Sequence, residues 1–367
     1  QWDVGLKPRA VLTSLGTLEF NYLDGRQCTS GGVPVNAWEI DPAGYGSATA
    51  RPYDDVKLQV RKVVIDPSWT QVGMKKADHL FASFQNMTEV SGFENMSGIT
   101  SAAQLFVSCP ALETIYATSF SNSGLSGSLM FNGCNRLVGG TDGFVPTTTS
   151  GASVCKLGAG GVLTDPNADQ RTWFWAHFYA DGEGVLTATS IPESGRELLA
   201  SNRVCAIAKY QGLGFTPWDG ITGPTHRQNL THATFAADMG LYSYLNLQYL
   251  FYSCTNLAGI SGLANLVGVR SLRFTFASAA VEQLDFRGFD PSTLTDLYYT
   301  FSGCSKLVTI YADASWALPT SGLTGSQCFY NCQKLVGGNG TTWASSKTAY
   351  TYMKIDTAGQ AGSLTAA

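Results

Sequence analysis

Thiols, carboxylates and imidazoles are the side chains in this sequence that could carry covalent, acid-base or metal chemistry. Nine cysteines are enough for a disulfide framework or a metal site. Five of them sit in one recurring phrase, Phe-x-x-Cys-x-x-Leu. It reads Phe106, Cys109, Leu112; Phe131, Cys134, Leu137; Phe251, Cys254, Leu257; Phe301, Cys304, Leu307; and Phe329, Cys332, Leu335. Two degenerate copies, led by Phe81 and Phe276, put Phe84 and Ala279 in the cysteine slot. A slot that takes Phe or Ala cannot depend on a thiolate for metal binding or nucleophilic attack, whereas a small, readily buried hydrophobe suits a crowded core position. The odd total also leaves at least one thiol unpaired, and reduced cysteines are expected. Cys28, Cys155, Cys205 and Cys328 lie outside the slot, and Cys328 with Cys332 forms a Cys-x3-Cys pair that could bridge.

Cleavage of a glycosidic bond would need two carboxyl groups. Asp54 with Asp55, Asp181 with Glu183, and Asp285 with Asp290 are pairs by sequence proximity, and each reads more naturally as turn residues. His79, His177, His226 and His232 are scattered, with no His-Glu-x-x-His, no Gly-x-Ser-x-Gly and no phosphate-binding glycine loop. No catalytic residue, cofactor or metal is expected. Aromatic residues remain, because Tyr and Trp rings stack on sugars and anchor protein interfaces. Tyr299, Tyr311 and Tyr330, with Tyr298, fall in the last coils; Trp173 and Trp175 belong to Trp-Phe-Trp-Ala-His-Phe-Tyr179, whose two alternating faces are both aromatic and one of which is core.

The elements that hold these residues are set by the phrase itself. Its lead phenylalanines stand at 81, 106 and 131, and at 251, 276, 301 and 329, so the steps are 25, 25, 25, 25 and 28. A period in the twenties predicts a mainly β solenoid of stacked coils. One coil cannot bury its own apolar face; stacking sets each Phe, Cys and Leu above its counterpart. A second phrase, Gly92-Phe-Glu-Asn-Met-Ser-Gly-Ile99 and Gly262-Leu-Ala-Asn-Leu-Val-Gly-Val269, precedes the next lead Phe by fourteen residues (106 − 92, 276 − 262). Each coil therefore reads as a short strand, a turn and a second irregular or strand segment.

The chain is also duplicated. Ser123-Gly-Leu-Ser-Gly-Ser-Leu-Met-Phe131 returns as Ser321-Gly-Leu-Thr-Gly-Ser-Gln-Cys-Phe329, an offset of 198 that carries Leu137-Val-Gly-Gly140 onto Leu335-Val-Gly-Gly338. Each half ends in a Gly-x-Leu-Thr segment, 161–164 and 362–365, expected to close the last coil as a cap. Each begins with a non-repetitive β-rich stretch, in which Thr17–Tyr22 alternates as a half-buried strand and Asp181-Gly-Glu-Gly184 makes a hairpin. Tyr53 in Pro-Tyr-Asp-Asp and Trp218 in Pro-Trp-Asp-Gly220 match, which predicts a shared structural task. The expected modules are 1–165, with a leading segment 1–70 and repeats and cap 71–165, and 166–367, with a leading segment 166–240 and repeats and cap 241–367; the polar stretch 164–169 is their junction.

Phe-x-x-Cys-x-x-Leu at 25-residue spacing, followed by Leu-Val-Gly-Gly and a closing Gly-x-Leu-Thr, resembles the BspA-like leucine-rich repeat surface proteins, including the 26-residue-repeat surface proteins. The resemblance covers roughly residues 75 to 165 and 240 to 367. It implies a leucine-rich-repeat solenoid, a location outside the cell, on a cell surface or on a virion such as a phage tail, and a binding or adhesion role toward a protein or glycan on a cell surface. A structural place in a virion or surface assembly, with a homo-oligomer, is the alternative; a polysaccharide-cleaving enzyme is a third reading.

Composition narrows the field further. Forty glycines and only 14% charged residues in 367 suit a turn-dense β fold. A formal charge of −4 excludes the basic surface that nucleic-acid binding needs, and Lys57-Leu-Gln-Val-Arg-Lys62 and Lys75-Lys76 are too short to replace it. No apolar run approaches the ~18 residues of a membrane span. A start at Gln1 leads us to expect that a signal peptide or upstream region has been removed. Leu318-Pro-Thr-Ser-Gly322 resembles a sortase signal but lies inside the repeats without an apolar tail. The sequons at Asn86, Asn95, Asn229 and Asn339 fit chance in so polar a chain.

Overall fold

The computed structural model describes residues 5–25, 27–210, 217–219 and 226–367; Gln1 and Gly220 lie outside them. The fold is mainly β, in several sheets, and among the described residues no sheet closes into a barrel. Among the described residues every helix is 3-10 and at most five residues long, and none is long and apolar enough to cross a membrane. The chain forms two compact units, Gln1–Arg171 and Thr172–Ala367.

In the first unit β1 (Leu6–Thr13) and β2 (Thr17–Asp24) form an antiparallel hairpin, and β3 (Pro34–Glu39) adds antiparallel to β1. From β2 the sheet continues in parallel through β4 (Lys62–Ile65), β5 (Glu89–Ser91), β6 (Thr114–Tyr116) and β7 (Leu163–Thr164). The stretch Thr17–Tyr22 departs from the half-buried alternation expected of it. Thr17 to Asn21 are all buried: Leu18 and Phe20 enter the core, while the outward Glu19 lies under the segment 27–30. Its carboxylate accepts from the backbone N–H groups of Thr29 (2.9 Å) and Ser30 (2.7 Å) and from Asn21 Nδ2 (2.8 Å), which compensates the cost of burying it.

The Phe-x-x-Cys phrase forms the opposite wall of each coil. The residue before the slot has a left-handed backbone: Ser83, Ser108, Gly133, Ser253, Ser278, Gly303 and Asn331 all have φ between 56° and 82°. The slot N–H then donates back to the lead Phe carbonyl, at 3.0 Å for Cys134 and Cys304 and 3.1 Å for Cys254. A β-turn with positive φ at its third residue favours Gly and Asn there, and Ser is the remaining small polar choice this chain makes. Neighbouring coils are tied by bonds such as Phe81 N to Leu105 O (3.0 Å) and Phe276 N to Thr300 O (3.0 Å).

Inside, the lead rings stack. Phe81, Phe106 and Phe131 are 5.3 and 5.8 Å apart, and Phe251, Phe276, Phe301 and Phe329 are 5.9, 5.5 and 5.3 Å apart. The five slot cysteines and the leucines of the phrase are buried with them. The slot does more than take volume. The thiols of Cys109, Cys134, Cys304 and Cys332 each donate to the lead Phe carbonyl of the preceding coil, at 3.1, 3.0, 2.9 and 3.0 Å. Cysteine thus supplies a weak donor where Phe84 and Ala279 supply none, so the slot discriminates more finely than its tolerance of Phe and Ala suggested. All nine cysteines are free, Cys328 and Cys332 included. Burial pushes the Cys332 thiol up to about 12 and raises Cys134, Cys254, Cys304 and Cys328 as well, so these sulfurs stay protonated and inert.

The second unit repeats the plan. β8 (Trp173–Tyr179) and β9 (Glu183–Thr187) form the hairpin, β10 (Leu198–Cys205) adds antiparallel to β8, and β11 (His232–Phe235) follows β9 in parallel. The coils then supply β12 (Leu245–Asn246), β13 (Gly259–Ser261) on β11, β14 (Val269–Ser271) on β12, β15 (Gln283–Asp285), β16 (Thr309–Ala312) on β15 and β17 (Thr365–Ala366) on β16. The Gly-x-x-Asn phrases become 3-10 turns. Gly92 and Gly262 take φ of 74° and 77°, and Asn95 and Asn265 donate from Nδ2 to Ile65 O and Phe235 O, both at 2.8 Å. Tyr53 and Trp218 share a task across the units: Tyr53 Oη donates to Leu80 O (2.9 Å) and Trp218 Nε1 to Leu250 O (2.7 Å), each carbonyl preceding the first lead Phe.

The units divide at Arg171/Thr172, beyond the 165/166 junction, because Arg171 is part of the first unit. Its guanidinium donates to Thr114 Oγ1 (2.9 Å) and Val138 O (2.8 Å) and pairs with Asp169 (2.7 Å). The first unit has a core of its own, running from Ala10 to Leu163. Residues 172–367 expressed alone are therefore expected to fold, giving a cooperative thermal transition by circular dichroism; a chain that stays unfolded without residues 1–171 would show that the second core is not its own.

Candidate binding surface

The turn wall of the second unit carries a column of aromatic residues outside the phenylalanine ladder, buried at Tyr249 and half-buried at Phe274 and Tyr299. Two residues before each lead Phe the backbone is again left-handed, and in this unit the position holds Tyr249, Phe274, Tyr299 and Gln327, with φ of 60°, 52°, 54° and 58°, so three of the four are aromatic. Side chains there point away from the core phenylalanines and meet each other. Tyr249 and Tyr299 both stack on Phe274, with centroids 4.9 Å away and planes 10° and 5° off parallel. Tyr298 packs edgewise on Tyr299 at 4.4 Å, and Arg273 lies 4.4 Å over the other side of the group, on the Tyr298 ring, while pairing with Asp296 (3.6 Å). Tyr252 borders Tyr249 and Phe274. Tyr330 is 51% exposed, close enough for its charge to act on the Tyr299 hydroxyl, which hydrogen bonding to Tyr298 already holds above the usual phenol value.

Because the column rings use their faces on one another, the surface they offer is a ridge of ring edges and phenol hydroxyls. The first unit is an internal control for what this backbone requires. Its equivalent positions are His79, Gln104 and Leu129, with φ of 59°, 54° and 52°. The left-handed conformation is thus a property of the coil, while the aromatic character belongs to the second unit alone. A bulky residue in that conformation costs about 1–2 kcal/mol, offset here by coil-to-coil bonds such as Phe274 N to Tyr298 O (3.0 Å) and by stacking.

The structure brings Tyr299, Tyr298 and Tyr330 together and separates Tyr311 from them. Tyr311 lies on β16, beside Asp285 of β15 and Thr365 of β17, with Arg287 5.9 Å over its ring. Trp173 and Trp175 are also elsewhere, half-buried on the outer face of β8. Arg203 sits 4.1 Å over Trp173, and Trp175 stacks on His177 at 6.2 Å; Phe174, Ala176 and Phe178 form the core-facing side. Tyr249, Tyr252, Phe274 and Arg273 escaped the sequence reading. The signal for the column was present, since 249, 274 and 299 repeat at 25 residues, two before each lead Phe.

The carboxylate pairs are accounted for by local chemistry. Asp54 pairs with Arg51 (2.5 Å) and Lys57 (2.8 Å); burial alone would raise its pKa, but these hydrogen bonds outweigh it and lower it. Asp285 pairs with Arg287 (2.5 Å), and Asp290 accepts from Ser292 N (2.9 Å) at the head of a 3-10 turn. Asp181 and Glu183 converge on Arg196 Nη2, at 2.6 and 3.0 Å. The Glu183 N–H and the Arg196 guanidinium hold the Asp181 carboxyl below its ordinary value, which removes a proton donor from this pair. Among the described residues no group of three or more His, Cys, Asp or Glu is placed to hold a metal ion.

Neither a family model nor a curated protein matches this chain. A weak structural neighbour among solved structures is a leucine-rich repeat protein from Eubacterium ventriosum ATCC 27560. The two are 12% identical, with 91% of this chain and 83% of that chain covered and a TM-score of 0.20.

Proposed function

We propose that this is a non-enzymatic recognition or adhesion protein, built as two capped leucine-rich-repeat solenoid stacks of the BspA-like kind and acting outside the cell, on a cell or virion surface. It binds a protein or glycan on a cell surface through the aromatic ridge of the second unit. One observation carries the reading: Tyr249, Phe274 and Tyr299 occupy positions that the sister unit fills with His79, Gln104 and Leu129, so the ridge is not needed by the coil. Partly exposed aromatic clusters with an adjacent arginine have the composition of interface hot spots. Ring edges with hydroxyls favour a protein partner over a sugar, which stacks on ring faces.

The test is a pair of changes, Tyr299→Asn and Tyr330→Ala. Attachment to the target surface is expected to weaken about tenfold or more for each. Stability should hold, since Asn tolerates the left-handed backbone and so offsets the lost stacking of about 0.5–1.5 kcal/mol. Unchanged attachment in both variants would overturn the ridge. So would depolymerisation of a cell-wall or capsular glycan by the purified chain, stopped by a carboxylate change. The structural-component reading has its own observation: Leu15, Val33, Val35 and Leu58 are exposed around β3, at the sheet edge of the first unit, a surface suited to subunit contacts. A permanent oligomer in light scattering favours that reading, and a monomer favours recognition.

A further inference from the structure

Beside β12 and β14 the second unit exposes three apolar side chains around one arginine. Leu241 is 78% exposed at the end of the 3-10 turn Ala237–Leu241, and Val267 is 51% exposed in the segment leading into β14. Tyr244, also exposed, stands just before β12. The three belong to one surface. A Cβ on Gly240 would lie 3.5 Å from Asn265 O and one on Gly268 would overlap Ser243 O, so the segment 240–244 runs against 265–268. Arg270 of β14 sets its guanidinium 5.5 Å over the Tyr244 ring. We propose that this surface binds a segment of a partner protein in which a carboxylate side chain stands among apolar ones.

Arg270 is the reason to expect a carboxylate. Arg51, Arg171, Arg196, Arg227 and Arg287 each pair with an aspartate of this chain, whereas Arg270 has no ion pair among the described residues. Its Nη1 meets Thr293 O only at 3.5 Å, the outer limit of a hydrogen bond, and its Nε is buried without an acceptor. A buried donor left unsatisfied is unfavourable. A carboxylate takes two parallel N–H groups of a guanidinium, and Nε with Nη2 is the adjacent pair that this side chain keeps unused. Apolar contacts around such a pair exclude water and strengthen it. Leu241 and Val267 are aliphatic, and the one ring carries the guanidinium on its face, which suits a peptide better than a sugar. The sister unit shows that the coil does not require these residues. At an offset of 170 it has Gln71, Ser97 and Thr100 for Leu241, Val267 and Arg270, and a buried Met74 for Tyr244. There Lys75 crosses to Gly98 O at 3.2 Å, so the first unit covers the same place with a polar side chain of its own.

The experiment titrates the full chain with a fluorescent, end-capped peptide of alternating leucine and aspartate, read by anisotropy. Beside it stand the same peptide with asparagine for aspartate and vesicles of phosphatidylglycerol. The aspartate peptide is expected to bind and the other two not. Arg270→Thr and Leu241→Gln, which install the first unit's residues, should each weaken binding about tenfold. Leu241 is at the surface, so its variant keeps the fold, and circular dichroism melting checks both proteins. Tyr299→Asn should leave peptide binding unchanged, which separates this surface from the ridge. No binding of the aspartate peptide, equal binding of the asparagine peptide, indifference to both variants, or a preference for the vesicles would each overturn the proposal. So would a dimer in light scattering that Leu241→Gln dissolves, since the occupant would then be a second copy of the chain.

Discussion

Cys304→Asp is expected to destabilise the second unit by about 3–5 kcal/mol, the cost typical of an uncompensated buried charge. Cys304 is fully buried, and its thiol donates to Phe276 O at 2.9 Å. A carboxylate in that slot would face the carbonyl it replaces a donor for, with no water to solvate it. Against a net stability of about 5–15 kcal/mol for a typical domain, this is enough to unfold a marginal unit at room temperature. Cys304→Ser, which keeps a donor, is expected to cost about 1 kcal/mol. Denaturant unfolding of the three proteins gives the order, and thiol labelling of the native chain is the companion measurement. Cys28, the one half-exposed cysteine, should react first while the ladder thiols stay protected. A cost below about 1 kcal/mol for the aspartate, or rapid labelling of all the ladder cysteines, would mean that the slot is open to water.

The second large effect is expected at the caps. Gly362→Ala should lower the stability of the second unit by about 2–3 kcal/mol, the upper part of the range for forced overpacking. A Cβ on Gly362 would overlap the Lys354 carbonyl oxygen and approach Ile355 C and O at 2.8 Å. These are backbone atoms of the segment 354–356, which bridges to Leu364 beside β17 through Leu364 N to Lys354 O (3.1 Å) and Asp356 N to Leu364 O (3.0 Å). Gly161→Ala repeats the experiment in the first unit, where the added atom would overlap Lys156 O. Melting curves read both. An alanine protein that melts with the parent would show that the cap backbone is not packed this closely.

These glycines give the two repeated end motifs a single origin. Leu-Val-Gly-Gly and Gly-x-Leu-Thr lie against each other: a Cβ on Gly139 would overlap Gly161 O, and one on Gly337 would come within 2.5 Å of Gly362 O. Each half preserves both motifs because Gly139 and Gly337 cannot grow without displacing the backbone of Gly161 and Gly362, which in turn cannot grow without displacing that of Lys156 and Lys354. The second closing segment is three residues longer, since Lys156 and Lys354 stand 198 apart and Gly161 and Gly362 stand 201 apart, and the contact is kept in both halves.

The sequence by itself determined the period, the duplication, the paired end motifs and the mainly β fold, and it singled out the Phe, Cys and Leu of the phrase, which are buried. Those are consequences of one-dimensional spacing, and a 25-residue apolar repeat has few ways to bury itself. It also placed Tyr53 and Trp218 in one role, because a matched position in a duplicated chain meets matched neighbours. Only the tertiary structure decided which aromatics share a surface. Tyr299 and Tyr311 are twelve residues apart in one coil, yet one lies on the turn wall and the other on the strand wall. Phe274, two residues from a core Phe, turns outward because its left-handed backbone reverses the direction its side chain would otherwise take. The junction at Arg171, the donor role of the slot thiols and the surface around Arg270 likewise depend on contacts between coils. Such contacts follow from strand register and backbone handedness, which side-chain spacing along the chain does not encode.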